Sequence, residues 1–460
     1  MNCGYVVKVE QLRKHTNADR LQVATFFGND TIVDMTVKQG DLGVYFPVNL
    51  QLSKEYAETN NLLRKKDDSG NNIGGFLDPE HRNIKAIKLR GEKSDGLFMP
   101  LKSFDYCFAP KTAAEANLAI GELVTTLNGK EICCKYVPRT QNRVGHITEG
   151  NKTRKKKAPT APLFAEHADT EQLAYNLGAF KPEDEIEITL KMHGTSQRTG
   201  YLPTLRGYKR TLVDRILHRE GKPIYDWGYV SGTRRVVLEN YEGGFYGSNE
   251  FREQHSKVFE CRLNKGETVY YEVVGFTTSG APIMGDANNK KLNDKEFIKQ
   301  YGETTRFSYG CDPSGYDKDK WCDDENFESL PQSDIYVYRM TMTNEDGFVV
   351  EYTPDFMRYR CEQMGVKTVP VFARVILPCE EYFDEDHPVG EYVKAMAEQY
   401  YDGPDPIGKT HVREGVVVRI INRPKFCAYK HKNFSFKVIS GIALEQADLN
   451  NISEDILAEM

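Results

Sequence analysis

The stretch Thr189-Leu190-Lys191-Met192-His193-Gly194-Thr195-Ser196 decides the reading of this chain. It continues EIEITL, whose apolar and polar residues alternate as in a strand, and it runs into a turn at Gly194. One lysine, Lys191, stands at the strand end. A lysine amine attacks as a nucleophile only when neutral, so its surroundings must disfavour the charge through burial or nearby cations. Alone the pattern is weak, because a lysine before a turn is common. Its weight comes from four segments further along the chain.

Working outward, Tyr271-Glu272-Val273-Val274-Gly275 sets a carboxylate among apolar strand residues, and Tyr336-Val337-Tyr338 offers an aromatic face. Arg413-Glu414-Gly415-Val416-Val417-Val418-Arg419 sets a second carboxylate at an apolar strand, and Tyr429-Lys430-His431-Lys432 puts two lysines on one strand face, two residues apart. Each piece has an ordinary alternative: a solvent-facing Glu, a core Tyr, solvated lysines. In this order they fit nucleotidyl transfer. Lys191 would attack the α-phosphate and hold a nucleoside monophosphate as a phosphoramidate. Glu272 and Glu414 would place a hydrated divalent cation that also lowers the Lys191 pKa by like-charge repulsion. Tyr338 would stack on the base, and Lys430 and Lys432 would neutralise phosphate charge.

The set KMHGTS, YYEVVGF, IYVYRM, REGVVVR and YKHK resembles the covalent nucleotidyltransferase superfamily of ligases and capping enzymes. More narrowly it is similar to ATP-dependent RNA ligases of the nick-sealing type, RNA ligase families 2 and 5. HTNADRLQVA, GDLGVYFPV and IKLRGEKSDGLFMPL are similar to the N-terminal OB-like module of the family 5 group. The resemblance spans most of residues 1–440. It implies a lysyl-AMP formed on Lys191 from ATP, with Mg²⁺ or Mn²⁺ held by Glu272 and Glu414 and, through water, His193. It implies a nucleotide site made by Leu190, Lys191, His193, Gly194, Glu272, Tyr338, Glu414, Lys430 and Lys432. The substrate implied is RNA with 3′-OH and 5′-phosphate ends, in a nicked duplex. The family's arginine after the nucleophile has two candidates here. Arg234, in YVSGTRRVVL, is preferred over Arg210, with residues 201–228 read as an insertion. Two departures stand out: His193 replaces a frequent Asp, and Leu190 a frequent Glu. No C-terminal OB domain is legible after Lys437. The competing readings are another covalent nucleotidyltransferase, DNA ligase or capping type, and an RNA-binding homologue without activity.

The remaining features bound this picture. The chain has 460 residues, 39% hydrophobic and 28% charged, as expected of a globular protein with a real core. Its net charge of -6 excludes a generally basic coat, though not a local basic surface. No apolar run reaches the ~20 residues a membrane helix needs, and no signal peptide is legible. An intracellular, cytoplasmic protein is expected, with no obligate protein partner evident. The family 2 likeness leans toward a phage source. Ten cysteines are scattered without CxxC and read as free thiols. Cys311 and Cys322 flank an Asp-rich loop, read as a solvated insertion rather than a metal or disulfide site.

The fold class expected is α+β: a nucleotidyltransferase domain of two antiparallel sheets with flanking helices over 165–445, after a β-rich OB-like RNA-binding domain over 1–145. Residues 146–164 form a basic linker with Lys152, Arg154 and Lys155 to Lys157, and 446–460 an acidic tail with a surface helix. A helix is expected at TLVDRILHREG, another within EEYFDEDHPVGEYVKAMAEQYY, a mobile loop at RKKDDSGNNIGG, and strands at WGYVSGTRRVVLE and FCAYKHKNFSFKVIS. Lys38, Arg82, Lys85, Lys88 and Arg90 are candidate RNA contacts of the first domain.

Overall fold

The computed structural model describes residues 3–446 apart from 49, 67–71, 109–113, 115–116, 137–157, 169, 212–220, 239, 244–245 and 315–329. The expected helix at TLVDRILHREG, the basic run of the linker, Cys322 and most of the acidic tail lie outside the described residues. The described cysteines, Cys311 included, are free. Among the described residues no helix is long and apolar enough to cross a membrane.

The alternating N-terminal segments form short antiparallel strands. These are β1 (Gly4–Lys8), β2 (Gln11–Lys14), β3 (Leu21–Phe26), β4 (Asn29–Asp34), β5 (Leu42–Phe46), β6 (Ala86–Leu89), β7 (Glu92–Asp95), β8 (Leu97–Pro100) and β9 (Leu123–Val124). They make a four-stranded sheet in the order β8-β5-β1-β9, a three-stranded sheet β2-β3-β4, and the β6-β7 hairpin. The β3-β4 turn is two residues, Phe27-Gly28, both at positive φ, the geometry that matches strand twist. β5 is covered on both faces. Val44 and Phe46 pack with Tyr56 and Phe104, whereas Tyr45 packs with Phe26 and Phe98. The RKKDDSGNNIGG segment, expected as a loop, carries a short ladder, Lys65–Lys66 against Asn72–Gly74.

The second half holds two larger sheets. Their strands are β10 (Glu185–Leu190), β11 (Thr195–Lys209), β12 (Lys222–Gly232), β13 (Glu267–Gly275), β14 (Ser333–Thr343), β15 (Val349–Glu351), β16 (Val371–Ile376), β17 (Gly415–Ile420) and β18 (Cys427–Lys432). One sheet runs β18-β17-β10-β16, extended by the parallel pair Glu171–Gln172 on β18. The other runs β12-β11-β13-β14-β15, with Lys367–Thr368 parallel to β14. Apart from these two short additions the pairing is antiparallel. Ala161 and Phe164 already pack on Leu202 and Val230 of the second sheet.

Three helices matter for the site. Helix α1 (Pro354–Met364) is well signalled: Thr353 Oγ1 caps the Phe356 amide, Pro354 opens the first turn, and Gly365 closes it at φ 66. Helix α2 (Val389–Glu398), expected from sequence, buries Val393 and Ala397 against β10 and β17. Helix α3 (Phe434–Gln446) corrects the expected strand at FCAYKHKNFSFKVIS, which stops at Lys432. Asn433 Oδ1 accepts the Phe436 amide at 3.1 Å and starts a helix. That helix is apolar on two sides. Phe436 and Ile439 join the core of the second sheet, while Phe434 and Val438 pack with Ala86 and Leu292. It therefore docks the N-terminal module onto the rest of the chain. Lys437 pairs with Asp95 of β7, and Lys88 of β6 pairs with Asp294 at 3.3 Å.

Candidate active site

Sheet register builds the site. β10, β17 and β18 align Thr189 with Val417 and Lys430 in one row, and Glu187 with Arg419 and Ala428 in the next. Residues opposite one another in an antiparallel pair share a face, and all six line one cavity of about 270 Å³. Lys191 follows β10, held by its amide on the Gly415 carbonyl at 3.0 Å. The second sheet forms the facing wall, where Ser196 of β11 lies opposite Glu272 of β13. Tyr338 is the extra residue of a bulge in β14, between the pairs Tyr271–Val337 and Tyr270–Arg339. Bulges re-aim side chains near functional sites. Here the ring faces the cavity, with its hydroxyl 2.9 Å from Ser196 Oγ and its edge against His167. Gly194 is required by close approach: a Cβ there would meet the Val273 carbonyl at 2.4 Å.

Thus Leu190, Lys191, His193, Gly194, Arg234, Glu272, Tyr338, Glu414, Lys430 and Lys432 all line the cavity. Arg234 comes from a different local structure than expected. β12 stops at Gly232, and Arg234 sits in a tight turn closed by the Thr233 amide on the Val236 carbonyl at 2.8 Å. Its own carbonyl accepts from Arg198. Arg210 lies exposed past the end of β11 and does not line the cavity.

The electrostatic centre is Glu414, 3% exposed. Its Oε1 lies 2.8 Å from Lys191 Nζ and 3.0 Å from Lys432 Nζ, and its Oε2 lies 3.5 Å from His193 Nδ1. Burial alone pushes this carboxyl up, but the two ammonium groups and His193 outweigh it and hold Glu414 well below the usual carboxylate range. Burial dominates at His193 and lowers its pKa despite Glu414, so the ring is neutral at pH 7. Behind it, the Tyr309 hydroxyl accepts the His193 backbone amide at 2.7 Å and fixes the Lys191 to Gly194 turn.

Several lining residues escape the motif reading: Glu187, Arg419, His167, Arg358, Lys135 and Lys437. Alternation back from Lys191, and along β17 from Val417, would have named Glu187 and Arg419. The others come from segments that only tertiary docking brings in. Of the five candidate RNA contacts, Lys85 lines this same cavity, beside Asn83 and Val48. Its pKa is lowered to about 8, chiefly by burial. Arg82 instead ties loop carbonyls of Leu52, Pro79 and Glu80, and Lys88 is spent on Asp294. Lys38 and Arg90 are exposed.

In total nine lysines and arginines and three glutamates line the cavity, within a chain of net charge -6. Such a cavity suits a polyanion. Among the described residues no three His, Cys, Asp or Glu side chains converge as a ready cage for a metal. Glu414 Oε2 is nevertheless buried without a hydrogen bond, and Glu272 lines the same space. Two carboxylates beside a neutral imidazole fit a cation that keeps several of its waters, such as Mg²⁺ or Mn²⁺.

No family model matches the chain, and no curated protein matches it. Solved structures do. A lysine-to-methionine variant of Naegleria gruberi RNA ligase with AMP and Mn is 15% identical, with 97% of this chain and 99% of that one covered at a TM-score of 0.52. An arginine-to-alanine variant with ATP and Mn is 15% identical, with the same coverage and a TM-score of 0.53. An apo variant is 16% identical, with 98% and 99% covered at 0.52. At such identities the likeness shows a shared fold, along nearly the whole of both chains.

Proposed function

We propose that this chain is an ATP-dependent RNA ligase that joins 3′-OH and 5′-phosphate RNA ends in a nicked duplex. The observation that carries the reading is the contact of Lys191 Nζ with Glu414 in a cation-rich cavity shared with Glu272, Tyr338, Lys430 and Lys432. Five separate segments supply these groups, in the order of the motif set. The fold shared with Naegleria RNA ligase supports it, while that organism lends the phage reading no support.

In this reading Lys191 Nζ attacks the α-phosphate of ATP. A P–N bond forms, the bond to the β-phosphate oxygen breaks, and pyrophosphate leaves. The amine needs its lone pair, so its ion pair with Glu414 must open first. AMP then passes from Lys191 to the RNA 5′-phosphate, and the 3′-OH displaces AMP. Lys430 and Lys432 neutralise charge on the phosphates, and Tyr338 stacks on adenine. A bound divalent cation supplies charge stabilisation at the α-phosphate. Glu272 and Glu414 would hold it, with His193 acting through water. Residues 1–145 act as the OB-like RNA-holding module and 165–445 as the transferase domain. Because Asn83, Lys85 and Lys135 wall the cavity, the first domain works at the nucleotide as well as on RNA.

Incubation with α-labelled ATP and Mg²⁺ should leave label on the denatured protein, and Lys191→Ala should abolish it. Label surviving that substitution would sink the assignment. Sealing of nicks with RNA but not DNA on the 3′-OH side separates this reading from a DNA ligase, and preference for ATP over GTP separates it from a capping enzyme.

A further inference from the structure

β11 and β12 are longer than the sheet they belong to. β11 pairs with β13 only through Thr195 to Gly200. Beyond that its strand partner is β12, in a ladder running out to Lys209 opposite Lys222. The result is an arm that leaves the sheet. Its root is stiffened by aromatic packing, with Tyr201 stacked on Tyr229 at 4.6 Å and Trp227 edge-on to Tyr201 at 5.9 Å. Its outer part is charged. Arg206, Lys209, Arg210 and Lys222 are exposed, and the one described carboxylate, Asp226, accepts the Trp227 amide at 2.8 Å.

The pairing at the end of the arm is unfavourable for folding. Lys209 and Lys222 are directly opposite, so their side chains leave the same face with Cβ atoms about 5 Å apart, and like charges placed so destabilise a strand pair. Among the described residues neither takes a carboxylate partner. An anion held between them removes the repulsion. The place is remote from the cavity. Lys209 is thirteen residues along β11 from the cavity-lining Ser196, a reach of about 40 Å at the rise of a strand. A nucleotide cannot bridge that span, whereas a nucleic-acid backbone can, and contacts to it need only clustered cations.

We propose that the β11-β12 arm is a phosphate-backbone clamp on the RNA duplex flanking the ends in the cavity, with Lys209 and Lys222 gripping adjacent phosphates. The inference rests on the RNA ligase reading and extends it to a surface outside the reacting groups. The test is the double variant Lys209→Ala/Lys222→Ala in the full chain, measured by binding to nicked RNA duplexes across a salt series. Two lost phosphate contacts should make the slope of log affinity against log salt shallower by about 2 and weaken binding about tenfold or more at 0.1 M salt. Wild-type affinity should also fall when the flanking duplex is cut shorter than the arm's reach, while the variant is insensitive to that cut. Its melting temperature should stay level or rise, because the repulsion is gone. Equal slopes and equal length dependence for the two proteins would overturn the clamp, as would wild-type protein that binds no RNA. The ligase reading is judged separately, by α-labelled ATP on the same two proteins: label on both with no binding difference removes the clamp alone.

Discussion

The cavity and the β11-β12 arm handle positive charge in opposite ways. In the cavity, cations from different strands share a buried carboxylate. Lys191 and Lys432 meet Glu414 there, and behind the lining the cavity's Arg419 shares Glu351 with Arg339. On the arm, Lys209 faces Lys222 in open solvent with no carboxylate between them among the described residues. Inside, an uncompensated charge costs several kcal/mol, so the fold itself supplies the counter-charge. Outside, water screens the repulsion, and the counter-charge can be left to a ligand. The contrast separates charge that organises the fold from charge that waits for a partner.

The largest effect should come from taking the shared carboxylate out of the cavity. Glu414→Gln should reduce self-labelling from α-labelled ATP by roughly 10²–10³-fold, and it leaves two ammonium groups facing a neutral amide. The stability it removes has a pH signature. Glu414 is held below the ordinary carboxylate range in the folded chain. Its contribution is therefore complete above the unfolded value near 4.5, and is lost as pH falls through the lower folded one. Melting curves of the two proteins should differ at pH 7 and converge in strong acid. A constant gap at every pH would mean that the ion pairs do not stabilise the site.

A second substitution tests the compensation without touching the reacting groups. Glu351 receives Arg339 through Nε at 3.0 Å and Nη2 at 2.9 Å, and Arg419 at 3.2 Å. β15 and β14 thereby connect to β17 of the other sheet. Glu351→Ala leaves two guanidinium groups about nine-tenths buried. A loss of about 3–5 kcal/mol is expected in denaturant titration. A loss under 1 kcal/mol would show that water compensates these cations, as it does on the arm.

Much of this layout is legible in the sequence, for a definite reason. Strand alternation carries faces, so YKHK alone places Lys430 and Lys432 together, and extending the same rule reaches Glu187 and Arg419. IYVYRM marks Tyr338 as part of an aromatic face, but the bulge that aims its ring at the cavity leaves no mark there. The failures have physical causes. Phe434, Phe436 and Val438 alternate and read as a continued strand. The Asn433 cap, and the demand for apolar surface on two sides at once, make them a helix. YVSGTRRVVL reads as one strand through Arg234, yet β12 stops two residues earlier. His167, Lys135, Arg358 and Lys437 reach the cavity through docking of distant segments, which no local period encodes. That docking also pairs Lys88 with Asp294 and leaves it only partly exposed.

Asp405 offers the smallest test, and it sharpens the comparison by being neither case. It is fully buried, with Oδ1 on the Ile407 amide at 2.8 Å and Oδ2 without a hydrogen bond. Among the described residues no cation pairs with it directly. Burial therefore pushes it up to about 7, against the lesser pull of the Ile407 amide and Arg413. A buried acid without a shared cation escapes the charge by keeping its proton. Between the unfolded value of 3.8 and about 7 the folded chain binds the extra proton, so stability should fall as pH rises across that window and level off above it. Asp405→Asn keeps the shape and the amide contact but cannot ionise. It should flatten that part of the profile and gain about 1–3 kcal/mol over the wild type at pH 8, with little difference at pH 4. Parallel profiles for the two proteins from pH 4 to 8 would show that Asp405 is ionised and paired after all. The rule drawn from Glu414 and Glu351, that every buried charge here has a partner, would then cover this carboxylate too.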